Sequence, residues 1–307
     1  MRSLAIFRCN ASLEIGAGHA ARCLALADAF VESGTEILFA TNRDAPETFP
    51  ALKKHRIEVV PSGASEPEWL ATLAQGRNTT LILDLREHGT AYETACRKFT
   101  SRIVTIADFP DAPHDCDVLI DQTIGREAQE FTSLVPANCK VLTGAQYALV
   151  GKSFLSLREE AGKRRDANLA KNVLLAFGAT DPFNYLGRLL PALIEHASGL
   201  RFTIAAGSRP LDDVQELCEK YADRISVLRK VEDMPRAVLE ADLAVGLAGA
   251  SAWERCVLGL PAALFVPSDY YRLATERLAA TGAATIIGEG SFDATEAARK
   301  IASLAAN

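Results

Sequence analysis

The feature that most limits what this chain can fold into is a regular alternation of two hydrophobic periods. Short apolar runs recur, each followed by a segment of helical period and then by another apolar run. Leu4 to Phe7, Ile37 to Ala40, Ile57 to Val60, Leu81 to Asp84, Ile103 to Ala107 and Val118 to Ile120 suit strands. His19 to Ser33, Pro46 to Lys54, Pro67 to Gln75 and Tyr92 to Phe99 suit helices, with Gly34 as the stop of the first. Continuous apolar runs mark strands buried on both faces, and strands spaced by helices pair in parallel.

The alternation breaks between about Ser153 and Asn172. There LREEAGKRRDANLAKN carries charge and no apolar run, which suits a linker or an exposed helix. It then restarts. Val173 to Phe177, Phe202 to Ala205, Ile225 to Leu228, Leu243 to Gly246, Ala262 to Phe265 and Thr285 to Ile287 fit strands. Tyr185 to Ala197, Asp212 to Tyr221, Met234 to Glu240, Ser251 to Leu258, Tyr271 to Ala280 and Ala294 to Ala305 fit helices. A chain of 307 residues exceeds what one core usually supports. The expectation is two Rossmann-like α/β domains, residues 1–155 and 170–307, one architecture used twice. The sequence leaves open whether the last helix packs back on the first domain.

Composition removes several classes of function. A net charge of −6 and a pI near 5.5 argue against a nucleic-acid partner, because neutralising phosphates takes a basic surface. No apolar run reaches the length of a membrane span, and MRSLAIFRCN is too short in its apolar part for a signal peptide. Seven scattered cysteines without a CxxC pair suit a reducing compartment, so a cytoplasmic location is expected.

Ligands of open α/β sheets bind beyond the carboxyl ends of strands. Three small-residue loops stand there. In the first, Gly16 and Gly18 precede His19 at a helix start, where backbone N–H groups attract anions. Gly16 to Ala21 also matches a dinucleotide fingerprint, but the loop is long and no acidic residue closes the second strand. A plain strand-to-helix turn is the third reading. The second loop runs Gly178-Ala179-Thr180-Asp181-Pro182. It suits a phosphate or sugar contact, and equally a capped helix start with Pro182 at the first helical position. The third is Gly249-Ala250-Ser251, leading into Glu254. Small residues before a helix suit a diphosphate, and a carboxylate one turn inside suits ribose hydroxyls or simply the helix dipole.

Of five histidines, His19 is the one on a glycine loop, placed as a general base can be, although a lone histidine is more often structural. Asp84 and Asp108 each end a strand, where they serve either chemistry or loop capping. His114-Asp115-Cys116-Asp117 hints at a metal, but adjacent residues do not converge on one ion and no second cluster complements them. No metal and no cofactor are therefore expected. GxSxG, HExxH and Walker A patterns do not occur. Cys9 and Cys23 read as small core residues.

Phe7-Arg8-Cys9-Asn10-Ala11-Ser12, Ile15 to His19 and Arg22-Cys23 resemble the opening motif of the UDP-2,4-diacetamido-2,4,6-trideoxy-β-L-altropyranose hydrolases of pseudaminic acid biosynthesis. The resemblance continues through Asp108, His114 to Asp117, Asp121-Gln122, Gly144 to Leu149, Gly178 to Pro182 and Gly249 to Glu254. A related glycosyltransferase of peptidoglycan synthesis shares the second-half pattern. The resemblance implies a GT-B fold: α/β, two Rossmann-like domains with parallel sheets facing an interdomain cleft. The second domain would hold the UDP. It also implies metal-independent hydrolysis of a UDP-sugar with inversion at the anomeric carbon, and so a place in nonulosonic acid synthesis and flagellin glycosylation. By the same resemblance His19 is the catalytic histidine. Gly16, Gly18, Arg22, Gly178, Thr180, Asp181, Gly249, Ala250, Ser251 and Glu254 are substrate or nucleotide neighbours. The sequence departs from the family at Asp84-Leu85-Arg86, at Thr123, at Ala179 and at Tyr270-Tyr271. These departures keep a UDP-sugar glycosyltransferase, or a binding homologue without catalysis, in view.

Overall fold

The computed structural model describes residues 3–164, 170–207, 209–229 and 233–306. The chain divides into two units. One holds the residues up to Ser12 together with His19–Gly151, and the other holds Leu13–Gly18 with the chain from Lys152 onward.

The first unit is built on a seven-stranded sheet of β1 (Leu4–Cys9), β2 (Glu36–Thr41), β3 (Arg56–Val59), β4 (Thr79–Asp84), β5 (Arg102–Ile106), β6 (Val118–Asp121) and β7 (Lys140–Thr143). The order is β3-β2-β1-β4-β5-β6-β7, and all pairings are parallel. Every residue of β1 is buried, as a central parallel strand requires. Six strands fall where the apolar runs predict. β7 does not: its KVLT segment is a four-residue edge strand with only Thr143 buried, so it carries no apolar run to detect. The helix expected over Pro46 to Lys54 is divided into Ala45–Thr48 and a 3₁₀ turn, Pro50–Lys54. Pro50 lacks an N–H and crowds the residue before it, and Phe49 accordingly leaves helical geometry at φ −134°.

The second unit carries β8 (Asn172–Ala176), β9 (Arg201–Ala205), β10 (Ile225–Leu228), β11 (Leu243–Leu247), β12 (Ala262–Val266) and β13 (Ala284–Glu289). Their order is β10-β9-β8-β11-β12-β13, again wholly parallel. This is the doubly wound arrangement, with winding that reverses beside the first strand. The core gathers Tyr185, Phe202, Phe265 and the leucines of the helix Tyr185–His196. The last helix, Ala294–Ala306, packs on that same helix and buries Ala298 and Ile301 in the second unit's own core. The charged segment begins as a helix, Arg158–Arg164, tied down by Arg164 to Asp242 at 2.7 Å; residues 165–169 of the expected linker lie outside the described residues. Among the described residues no helix is long and apolar enough to cross a membrane.

Candidate active site

In each sheet the winding reverses between two neighbouring central strands, β1 and β4 in the first and β8 and β11 in the second. Loops leaving such strands diverge and open a crevice. The residues singled out in the sequence collect at these two places.

In the first unit, Asp84 is the last residue of β4 and pairs in register with Cys9 of β1. The helix Gly18–Glu32 presents His19 and Arg22, three residues apart and so on one face. Both reach the same carboxylate. His19 Nδ1 lies 2.6 Å from Asp84 Oδ1, while Arg22 binds Asp84 through Nε and Nη2, each at 2.6 Å. Arg22 Nη1 also donates to Asp108 Oδ1 at 2.6 Å. Burial alone would raise the Asp84 carboxyl, but Arg22 and then His19 outweigh it and hold Asp84 well below the usual carboxylate range. Asp108 is lowered by Arg22 in the same way. An ionised Asp84 accepts the proton of His19 Nδ1, which leaves Nε2 of the neutral ring as the basic nitrogen. Among the described residues the ring's hydrogen bond is the one from Nδ1 to Asp84; Arg22 Nη2 stands 3.2 Å from the same nitrogen but can only donate, so it does not bond to it in this tautomer. Arg22, expected to be a substrate neighbour, is only 6% exposed and has its guanidinium turned to the two aspartates. In this position it bridges Asp84, the partner of His19, to Asp108.

The same sheet edge carries an open pocket of about 670 Å³ lined by Arg8, Asn42, Arg43 and Ser62 among others. Arg8 is buried in β1 and ion-paired to Glu66 at 2.5 Å, a position the apolar pattern of the strand conceals. Farther along, Gln122 Oε1 accepts from Leu149 N at 3.0 Å, so two of the segments that carry the resemblance brace one another.

In the second unit the loops after β8 and β11 lie side by side because their strands are paired. Gly246 has no alternative there: a β-carbon would come 2.2 Å from the carbonyl oxygen of Ala176. Gly178 has φ +91°, a conformation that L side chains rarely adopt. The capped helix start takes a different form from the expected one. The helix begins at Tyr185 behind the N-cap Asn184, and Pro182 stands outside it. Asp181 reaches forward to accept from Tyr185 N and Leu186 N, both at 2.9 Å, and its Oδ2 also faces Arg209 Nε at 3.3 Å. Thr180 is buried, and its hydroxyl has no partner among the described residues. Gly16 belongs to this unit too, and a β-carbon there would stand 4.0 Å from Thr180 Oγ1; one on Gly18 would stand 3.9 Å from the Ala250 methyl.

The helix Ser251–Val257 spans only two turns, too short for a strong dipole. Its loop is held instead by Arg255, which the sequence reading passed over. Arg255 is 2% exposed, donates to Leu247 O at 2.6 Å and Ser251 Oγ at 3.2 Å, and is pulled down to about 10 by burial. Beside it Glu254 is partly buried, with no hydrogen bond or ion pair among the described residues. Burial pushes its carboxyl up to about 7 against the opposing charge of Arg255. Phe183 meets the ring of Tyr271 edge-on at 6.3 Å, which sets one of the departures from the family beside the β8 loop.

No protein-family model matches the chain. The fold does have solved counterparts. The crystal structure of Acinetobacter baumannii MurG aligns with a TM-score of 0.63 at 19% identity, covering 100% of this chain and 91% of that one. Arabidopsis thaliana UGT89C1 in complex with UDP aligns at 0.61 and 12% identity, over 99% and 90%. The chain therefore has the GT-B fold of two parallel-sheet, Rossmann-like domains.

Sequence relatives are more distant from one another in what they do. The Bacillus subtilis spore coat polysaccharide biosynthesis protein SpsG is 23% identical over 91% of this chain and 82% of its own. The Campylobacter jejuni UDP-2,4-diacetamido-2,4,6-trideoxy-β-L-altropyranose hydrolase is 27% identical over 57% and 60%. A UDP-N-acetylglucosamine–N-acetylmuramyl-(pentapeptide) pyrophosphoryl-undecaprenol N-acetylglucosamine transferase of Acinetobacter baumannii is 31% identical over 53% and 47%. This chain spans about half the length of that transferase, and 55% of a further, uncharacterised relative from Methanocaldococcus jannaschii.

Proposed function

We propose that the protein is a UDP-sugar hydrolase that releases a diacetamido-trideoxy sugar from UDP with inversion at the anomeric carbon, in a nonulosonic acid pathway such as that of pseudaminic acid. The observation that carries this is the contact of His19 with Asp84. It supplies a base whose Nε2 lone pair is fixed by an ionised carboxylate at Nδ1. In the reaction Nε2 takes a proton from water as its oxygen bonds to the anomeric carbon. The bond from that carbon to the diphosphate oxygen breaks, and UDP leaves with the electron pair. Gly249, Ala250 and Ser251 are assigned to the diphosphate and Glu254 to the ribose hydroxyls. The resemblance at these positions supports the assignment, and so does the absence of any hydrogen bond to Glu254 among the described residues.

A glycosyltransferase is the second reading, supported by the transferase relative. The deciding experiment is UDP release from a panel of UDP-sugars without acceptor. Release of UDP with free sugar of inverted configuration, read by NMR before the sugar re-equilibrates, establishes the hydrolase. Binding without release, with turnover restored by an acceptor, establishes the transferase.

A further inference from the structure

His114 looked isolated in the sequence. In the fold it meets His88, from the connection between β4 and the helix Thr90–Cys96, and Glu93 from that helix. Residues 26 and 21 positions away from His114 supply the second cluster that the sequence lacked. Glu93 is fully buried, and the side chains of His88 and His114 are 3% and 7% exposed.

One hydrogen bond fixes the place of one proton on His88. His88 Nδ1 lies 2.9 Å from the carbonyl oxygen of Leu85, which can only accept, so Nδ1 holds a proton. In neutral His88 the lone pair is then on Nε2, and Nε2 faces Glu93 Oε1 at 3.0 Å. His114 Nδ1 faces the same oxygen, also at 3.0 Å. A lone pair directed at a buried carboxylate is repulsive, and either a second proton on the ring or a cation held between the two groups relieves it. A backbone carbonyl on the far nitrogen is also the usual way a metal-ligating histidine is oriented. The carboxylate is oriented too: Thr105 Oγ1 donates to Oε1 at 2.7 Å, and Asp115 N donates to Oε2.

All the donor atoms lie within 4.8 Å of one another. Ligand atoms of a tetrahedral zinc ion stand about 3.3 Å apart, given bonds of about 2.0–2.1 Å. The observed 3.0 Å separations need to open by only a few tenths of an ångström. Two imidazoles and one carboxylate suit zinc or a neighbouring divalent transition metal and not calcium or magnesium, which take oxygen ligands.

We propose that His88 Nε2, His114 Nδ1 and Glu93 Oε1 bind one zinc-class divalent cation. The metal clips the connection leaving β4 to the connection entering β6 and so steadies the strand end that presents Asp84. The role is structural, and no step of the proposed reaction passes through it.

The test uses the full chain, free of any histidine tag and dialysed against chelator. Zinc is titrated in competition with a chromophoric chelator, and cobalt is bound in its place for spectroscopy. One equivalent of zinc is expected, with a raised unfolding temperature, and the cobalt form should show tetrahedral bands without thiolate charge transfer. In a folded His114→Ala protein zinc affinity should fall by more than a second-shell change costs, roughly 100-fold or more. If His114→Ala does not fold, the cobalt spectrum of the unaltered protein decides. No stoichiometric zinc, thiolate bands that point to cysteine ligands, or unchanged affinity in folded His114→Ala would each overturn the site.

Discussion

Asp84 Oδ1 stands 2.6 Å from His19 Nδ1, and this contact decides which ring nitrogen is basic. Replacing Asp84 by Asn keeps the shape but lets the imidazole adopt the other tautomer. Turnover should fall by about 10³- to 10⁴-fold, as tautomer loss does in triads, with UDP affinity nearly unchanged. Steady-state kinetics beside UDP calorimetry tests this. A loss confined to affinity would remove Asp84 from the chemistry.

His19→Ala removes the base itself and leaves the loops of the second unit intact. Turnover should drop by about 10²- to 10⁴-fold or more, with little change in UDP binding. Near-unaltered turnover would end the assignment of His19.

Arg22→Met leaves the buried Asp84 and the partly exposed Asp108 without their cation, which should cost about 3–5 kcal/mol of stability near neutral pH. The pH dependence has a definite sign. Asp84 and Asp108 are lowered in the folded protein, so their contribution is present above the unfolded carboxylate pKa and lost as pH falls through the folded value. The stability gap between the two proteins should therefore narrow as pH falls below about 4. Urea unfolding at several pH values measures it, and a gap constant with pH would mean that Arg22 stabilises by packing alone.

Glu254 behaves in the opposite sense. Its carboxyl is raised to about 7, so the stability it costs is present above pH 7 and is relieved as pH falls towards the ordinary glutamate value. Glu254→Gln should raise the unfolding temperature more at pH 8 than at pH 5. If the carboxylate accepts ribose hydroxyls, affinity for a UDP-sugar should weaken as pH drops through 7, by at most about tenfold per unit. That slope should vanish in Glu254→Gln. A UDP-sugar is used because its diphosphate does not titrate there; equal slopes in both proteins would remove the ribose role.

The Thr180 hydroxyl is buried without a partner among the described residues. Thr180→Val should leave the ligand-free protein as stable or slightly more so, while UDP affinity falls by about 0.5–1.5 kcal/mol if a bound phosphate supplies the missing acceptor. Calorimetry showing unaltered affinity would place the phosphate elsewhere.

The apolar runs of the sequence marked twelve of the thirteen described strands, because a parallel strand buried on two faces is largely apolar and its connections are mostly helical, whereas the edge strand β7 carries no such run. Glycine at position 246 and the small residues after β8 and β11 were legible for the same local reason: backbone approaches closely there. The i, i+3 spacing of His19 and Arg22 was also in the sequence. Their shared partner was not, since Asp84 lies more than sixty positions away and is delivered only by the pairing of β1 with β4. Tertiary structure likewise set Arg22 between Asp84 and Asp108 and brought His88 and Glu93 to His114. It also exchanged Pro182 for Asn184 at the start of a helix. Local conformation depends on neighbours along the chain. Charge pairing depends on neighbours in space, and the order in which parallel strands assemble decides those.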